Sequence, residues 1–263
     1  MYRGVAIWNY AGDAIENARK FADAGFDAIS WNAPLFVGRY TDKDRERVAK
    51  YISTSGQYLT MHNLLPSPYD PAEIASARHD WRVLSEWHQR YGLLRGMTFD
   101  FVHPHEDQLP LLAECLTIFR GQGVFFACED TPLHARTMEK FAKYLTPEDD
   151  FGILIDLGHL NIRQWKMELH EREDFERMFR NLPLPVRELH VHDNKGRQDE
   201  HRELGAGNLP LADVVRAVKA IGFDGIVTVE IVNSQQWDID THIAHALDTS
   251  NRFYKAWNDL ESV

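Results

Sequence analysis

Cysteine is scarce in this chain of 263 residues: there are two, Cys115 and Cys128, and they form no Cys-x-x-Cys pair. A disulfide scaffold and a zinc ribbon are thereby excluded, and a reducing cytosol is the expected compartment. No apolar run approaches the roughly 20 residues that a membrane-spanning helix needs. The opening residues, Met1-Tyr2-Arg3-Gly4-Val5-Ala6-Ile7-Trp8, carry no apolar core followed by a small-residue cleavage site, so no export signal is expected there. Positive charge is in deficit. Against 40 Asp and Glu stand 29 Lys and Arg, a formal net charge of −11 with neutral histidines. That balance offers no global attraction to nucleic acid or anionic membrane, although a local basic face is compatible with it. No Gly-x-Gly-x-x-Gly turn follows the first apolar run, and no Walker loop occurs. What is present is a 44% hydrophobic composition, enough for a large core and against wholesale disorder. There are also 13 histidines, about one residue in twenty.

Eight short runs rich in β-branched, aromatic and other apolar residues read as strands. They are Val5 to Trp8, Asp27 to Trp31, Tyr58 to His62, Met97 to Val102, Val124 to Cys128, Gly152 to Asp156, Val186 to His192 and Ile226 to Ile231. Helical apolar spacing marks Ala14 to Ala24, Asp42 to Ser53, Pro71 to Tyr91, Gln108 to Gly121 and Leu133 to Tyr144. It returns near Glu173 to Arg180, at Leu211 to Ile221 and at Asp238 to Trp257. Gly25, Gly92, Gly123 and Gly222 fall just past helix ends, where a left-handed cap favours glycine. Strands alternating with helices imply right-handed crossovers and a parallel sheet. Eight units in this length, with no composition break or linker, predict a single (β/α)8 barrel over residues 1–263.

Such barrels build their sites at the C-terminal strand ends. His62 ends the third run, His103 follows the fourth, and Glu129 follows the fifth. Asp156 ends the sixth, with His159 three residues on. The seventh carries His190, His192 and Asp193, followed by Asp199 and His201, and the eighth carries Glu230. Trp8-Asn9 and Trp31-Asn32 end the first two and are expected to wall the pocket. A lone histidine at a strand end is more often a hydrogen-bonded core or surface residue. His79, His88, His105, His134, His170, His242 and His245 are assigned to that class, and Trp81, Trp87 and Trp165 to helix packing. An Asp after a strand often caps the next helix, as Asp130 or Thr131 is expected to do. Convergence separates the others from that background. Six consecutive strands deliver His, Asp or Glu to one rim, and burying so many ionisable groups together is costly without a compensating cation. Mixed imidazole and carboxylate donors suit Zn²⁺, Mn²⁺, Fe²⁺ or Co²⁺ better than Ca²⁺, with Zn²⁺ or Mn²⁺ foremost. The strand period of two puts His190 and His192 on one face, one to ligate and the other to support it or meet substrate.

Ile155-Asp156-Leu157-Gly158-His159, the block His190-Val191-His192-Asp193-Asn194-Lys195, and its continuation through Asp199-Glu200-His201 to Leu204-Gly205-Ala206-Gly207-Asn208 resemble the xylose isomerase-like TIM barrels. That family includes sugar and sugar-phosphate isomerases and epimerases as well as endonuclease IV. The resemblance runs over nearly the whole chain, with Glu129 and Glu230 completing the pattern. It implies a divalent-metal enzyme and leaves two branches open. In the epimerase branch one ion is held at the positions of Glu129, Asp156, His190 and Glu230, with His159 contacting substrate. Glu129 and Glu230 would then flank a small sugar or sugar phosphate as the proton-transfer pair around a metal-stabilised enediolate. His192, Lys195, Arg197, Trp8 and Trp31 are the further substrate contacts expected there. In the endonuclease IV branch His62, His103, His159, Asp199 and His201 join the set, up to three zinc ions are held, and the chemistry is phosphoester hydrolysis on abasic DNA or a small phosphoester.

Departures from both patterns are visible. The loop after His62, Asn63-Leu64-Leu65-Pro66-Ser67-Pro68, has no arginine or tyrosine to insert into a duplex, and few basic residues surround the rim. The epimerases' arginine after the seventh strand is matched by Arg197 only with a displacement of one position. A small-molecule sugar or sugar phosphate is therefore the expected partner, nucleic acid and membrane are not, and a homo-oligomer is compatible. A non-catalytic sugar-binding barrel or enzyme subunit is the third reading, against which the intact ligand set argues.

Overall fold

Turn residues punctuate the chain where parallel strands must give way to helices. The computed structural model describes residues 1–7, 13–100, 105–129, 140, 144–146, 149–164, 167–232 and 237–260, with the side chains of 105 and 106 set aside. Eight strands follow in order: β1 (Tyr2–Ala6), β2 (Ala28–Asn32), β3 (Tyr58–Leu64), β4 (Leu94–Asp100), β5 (Phe125–Cys128), β6 (Phe151–Asp156), β7 (Val186–Val191) and β8 (Ile226–Val229). Each pairs in parallel with the next and β1 closes on β8, giving the expected (β/α)8 barrel. Between them lie α1 (Ala14–Asp23), α2 (Ala33–Arg39), α3 (Asp42–Ser55), α4 (Pro71–Tyr91), α5 (His105–Phe119), α6 (Leu157–Arg163), α7 (Arg172–Arg180), α8 (Leu211–Ala220) and α9 (Ile239–Asp259) among the described residues. The expected helix from Leu133 to Tyr144 lies almost wholly outside the described residues, as do Trp8, Asp130, Thr131, His103, His134 and Trp165.

Several boundaries differ from the sequence reading. β4 starts at Leu94 and ends at Asp100, because register with β3 pairs Leu94 with Leu59 and Asp100 with Leu64. β1 begins at Tyr2, drawn in by pairing with Ile226 of β8. α5 ends at Phe119 and not at Gly121, whose φ of 75° breaks the helix. α2 and α6 have seven residues each and start directly on a strand end, too short to display a helical period. The four cap glycines do adopt left-handed backbone, with φ of 93° at Gly25, 68° at Gly92, 72° at Gly123 and 70° at Gly222.

Alternation divides the barrel wall. Outward residues such as Ile29, Leu59, Met97, Ile153, Leu189 and Val227 are buried against the helices in two apolar clusters, one around β1–β5 and one around β6–β8. Many inward residues are small or polar, with Leu154 and Ile226 among the apolar exceptions. Ser30, Thr60, Thr98, Glu188 and Thr228 are all at most 1% exposed and line the axis beneath the C-terminal rim. Burial of the outer face stabilises the barrel at about 25 cal/mol per Å² of apolar surface, so the polar interior is carried by that outer layer.

Candidate metal centre

Asp156 sits at the junction of β6 and α6 and acts twice. Its Oδ1 accepts from the His159 amide at 2.6 Å, capping α6. That cap turns the chain so that His159 leans back over the rim, with Nδ1 2.7 Å from Glu129 Oε1. The second residue of α6, Gly158, permits the approach: a Cβ there would stand 1.9 Å from the His192 ring. His192 Nε2 in turn lies 2.9–3.0 Å from the two Asp156 oxygens.

Around His190, at the end of β7, three carboxylates converge. Its Nδ1 lies 2.7 Å from Glu230 Oε2, 3.7 Å from Glu129 Oε2 and 3.9 Å from Asp156 Oδ2. Neither ring nitrogen of His190 makes a hydrogen bond among the described residues, so these are converging donors and not a hydrogen-bonded set. Ligand atoms of Asp156, His190 and Glu230 fall within 4.8 Å of one another, and so do those of His62, Glu129 and His190 and of Glu129, Asp156 and His159. These overlapping triads offer donors for a divalent ion, with Glu129, Asp156, His190 and Glu230 among them.

A second cluster lies beside it. Asp199 Oδ2 is 3.0 Å from His159 Nε2 and 2.9 Å from His201 Nε2, and ligand atoms of these three lie within 4.8 Å of one another. The loop that returns Asp199 and His201 to the rim is stapled at its base. Asp193 and Arg202 exchange backbone hydrogen bonds, and the Asp193 carboxylate accepts from the amides of Asn194, Gly205, Gly207 and Leu209. His201 has a φ of 44°, a left-handed conformation uncommon outside glycine, at a site where such strain often has a role. Its Nδ1 donates to the Glu230 carbonyl at 3.0 Å, leaving Nε2 for Asp199, and its ring stacks on His192 at 4.0 Å.

Electrostatics reflect this crowding. Burial, and then the neighbouring Asp100 carboxylate, push Glu129 well above the ordinary carboxyl range. Burial alone would raise Asp156 as well, but the imidazoles of His192, His159 and His190 hold it well below. Burial acts against the charged form of His190, yet Glu230, Glu188 and Glu129 raise it well above a free imidazole. His201 is lifted to about 9 despite its burial, chiefly by its hydrogen bond to Asp199. Carboxylates and imidazoles that perturb one another this strongly form a cluster that could hold a cation.

The structure thus brings together His62, Glu129, Asp156, His159, His190, Asp199, His201 and Glu230 from the sequence-derived set. His192 is wholly buried, bonded to Asp156, and supports a donor from behind. Lys195 and Arg197 are exposed on the turn after β7. Trp31 goes elsewhere: strand alternation turns it outward, where it is 2% exposed and packs edge-on against Phe36 and Tyr40, a core residue and not a pocket wall. His103 and Trp8 lie outside the described residues. Of the histidines set aside, His88 is satisfied by the Gln122 carbonyl and the Leu94 amide, and His245 pairs with Glu203 at 2.8 Å. Sequence reasoning missed Asp100, whose Oδ2 lies 3.2 Å from His62 Nε2, while Thr98 Oγ1 is 2.8 Å from His62 Nδ1. Ending the fourth strand at Asp100 would have exposed the alternation Thr98, Asp100 beside the rim.

Comparison with known proteins agrees with this architecture. An L-ribulose 3-epimerase structure superposes with a TM-score of 0.73 at 19% identity, over 99% of this chain and 96% of that one. A D-psicose 3-epimerase from Clostridium cellulolyticum H10, solved with D-tagatose, gives 0.71 at 16% over 98% and 99%. A 3-keto-D-glucoside 4-epimerase from E. coli gives 0.67 at 16% over 96% and 99%. At such identities the likeness is one of fold. Among curated sequences, an uncharacterized protein of Methanocaldococcus jannaschii is 28% identical over 134 residues, 49% of this chain, and the match spans 44% of that relative's length. A sequence model of the xylose isomerase-like TIM barrel matches residues 18–256. With the closed eight-stranded barrel already in place, that match settles the family: the chain belongs to the xylose isomerase-like TIM barrels.

Proposed function

We propose that the chain is a divalent-metal-dependent isomerase or epimerase acting on a small sugar or sugar phosphate. The observation that carries this reading is the convergence of Glu129, Asp156, His190 and Glu230, from four consecutive strands, around His190 Nδ1. The structural neighbours, which are sugar epimerases, support it. A bound Zn²⁺ or Mn²⁺ would supply positive charge to a carbonyl and its neighbouring hydroxyl, acidifying the C–H between them. The chain's own groups do the rest. Glu129 and Glu230 approach His190 Nδ1 from β5 and β8, strands on either side of β7, and are the pair that removes and returns the proton. His159, leaning over the rim from α6, orients substrate oxygens, and His192 keeps Asp156 in place. Lys195 or Arg197 meets a distal hydroxyl or phosphate from the turn after β7. No described helix is long and apolar enough to cross a membrane. Cys115 and Cys128, both buried, fit a reducing cytosol, and a homo-oligomer is compatible with the reading.

The test is proton exchange. In D₂O, with a panel of ketoses and ketose phosphates, the wild type incorporates deuterium at the carbon beside the carbonyl. Glu230→Gln keeps fold and ion but loses that incorporation; persistent exchange in the variant removes Glu230 from the mechanism.

The cluster of His159, Asp199 and His201 favours a second reading, in which up to three ions serve phosphoester hydrolysis of the endonuclease IV type. His62, His103, Asp199 and His201 would then be indispensable and Glu129 shared between ions. Roughly three ions per chain with nicking of abasic-site duplex supports it; one ion and no nicking sinks it.

A further inference from the structure

His190 has carboxylates on both sides of its ring. Nδ1 faces the rim, where Glu129, Asp156 and Glu230 converge. Nε2 faces down the barrel axis, 3.6 Å from Glu188 Oε1. Glu188 precedes His190 by two residues on β7, so the strand period turns both inward and places Glu188 one layer deeper, beside Leu154 of β6 and Ile226 of β8. It is 0% exposed. Oε1 accepts from Thr228 Oγ1 at 2.5 Å, and Oε2 has no hydrogen-bond partner among the described residues. Among those residues the cationic partner that Glu188 meets is His190, with no lysine or arginine paired to it. A carboxylate removed from water in this way is costly unless something compensates.

An imidazole that donates through Nδ1 must carry its remaining proton on Nε2. A carboxylate behind that N–H fixes the tautomer, orients the ring and raises the basicity of the donor nitrogen. Thr228 is the partner of His190 in register, so the hydroxyl that grips Glu188 comes from the strand lying alongside the ring.

We infer that Glu188 is the positioning residue of the centre: once an ion is held at Nδ1, its carboxylate closes the 3.6 Å gap to accept a hydrogen bond from His190 Nε2–H and so aims the Nδ1 lone pair at the space between Glu129, Asp156 and Glu230. It touches no substrate. The inference rests on those four rim residues being ion ligands.

The experiment compares wild type, Glu188→Gln and Glu188→Leu. Zinc affinity is measured by competition with a chromophoric chelator, without any sugar. The hydrogen bond made by His190 Nε2–H is read from its downfield proton shift by ¹H–¹⁵N NMR on the zinc-loaded, histidine-labelled protein. Glutamine keeps an acceptor oxygen, so zinc binding weakens about 10-fold with the Nε2–H signature retained. Leucine removes it, so binding weakens about 100-fold and the signature is lost. A merely space-filling Glu188 would leave the Nε2–H shift unmoved in the leucine variant, and unchanged zinc affinity in either folded variant overturns the inference. If the leucine variant does not fold, the glutamine variant decides alone. A wild type that takes up no zinc overturns this inference and the metal-dependent function together. A zinc-binding wild type with unaltered variants overturns this inference alone.

Discussion

Replacing Gly158 with alanine should act against the ordinary helix preference. In an exposed helix the change gains about 1 kcal/mol. Here the new Cβ would lie 1.9 Å from His192 Cε1, 2.3 Å from Nδ1 and 2.5 Å from Nε2. The ring has nowhere to go: it is 0% exposed, stacks on His201 at 4.0 Å and is bonded through Nε2 to Asp156. Overpacking of this kind costs about 1–3 kcal/mol. Forcing the ring aside also forfeits its charge-assisted bond to Asp156, about 1.5–3 kcal/mol more. After subtracting the helix gain, the net loss is about 3 kcal/mol, or roughly 6–12 °C in Tm for a chain of this size. Urea titrations of wild type, Gly158→Ala, His192→Ala and the double variant measure it. The double variant should recover much of the loss, with a coupling above about 1 kcal/mol. The reasoning is refuted if Gly158→Ala equals the wild type or gains the propensity increment, for His192 would then not be wedged against α6.

Two other perturbations probe features beside the centre. Asp193→Ala strands four amide donors in the loop that carries Asp199 and His201, and should cost about 4 kcal/mol while opening that loop to limited proteolysis; a loss under about 1 kcal/mol contradicts the staple. His242 is lowered to about 4 by burial and then by His245. Its folded value lies below the unfolded 6.5, so the unfolded chain binds the extra proton: the contribution is complete above pH 6.5 and is lost as pH falls towards 4. Of the change in urea stability between pH 7 and 4, about 2–3 kcal/mol should vanish in His242→Gln. An identical pH slope in the two proteins would show that His242 is not the group responsible.

Much of the barrel was legible because its signals are local. Apolar runs, caps and left-handed glycines report on three to five neighbouring residues, and they placed all eight strands in order. The short helices α2 and α6 escaped for the same reason, since seven residues do not establish a period. At the rim, residue type and strand end together identified Glu129, Asp156, His190 and Glu230 as neighbours. Asp100 escaped because extending the fourth run to Val102 moved the strand end past it. Glu188 escaped because a carboxylate in the middle of a strand, read locally, is as easily a solvent-facing one.

The sequence by itself determined that strands alternate with helices eight times and which ionisable groups stand at the strand ends. Those are properties of short segments, set by period, capping and turn chemistry. Only the tertiary structure decided which groups share a cluster and which way each side chain turns. It sent Trp31 outward to Phe36 and Tyr40, drew Glu188 beneath His190, folded Asp199 and His201 back through Asp193, and laid His192 against Gly158. Strand register and barrel closure are contacts between residues far apart in the chain, and no local pattern encodes the parity they impose.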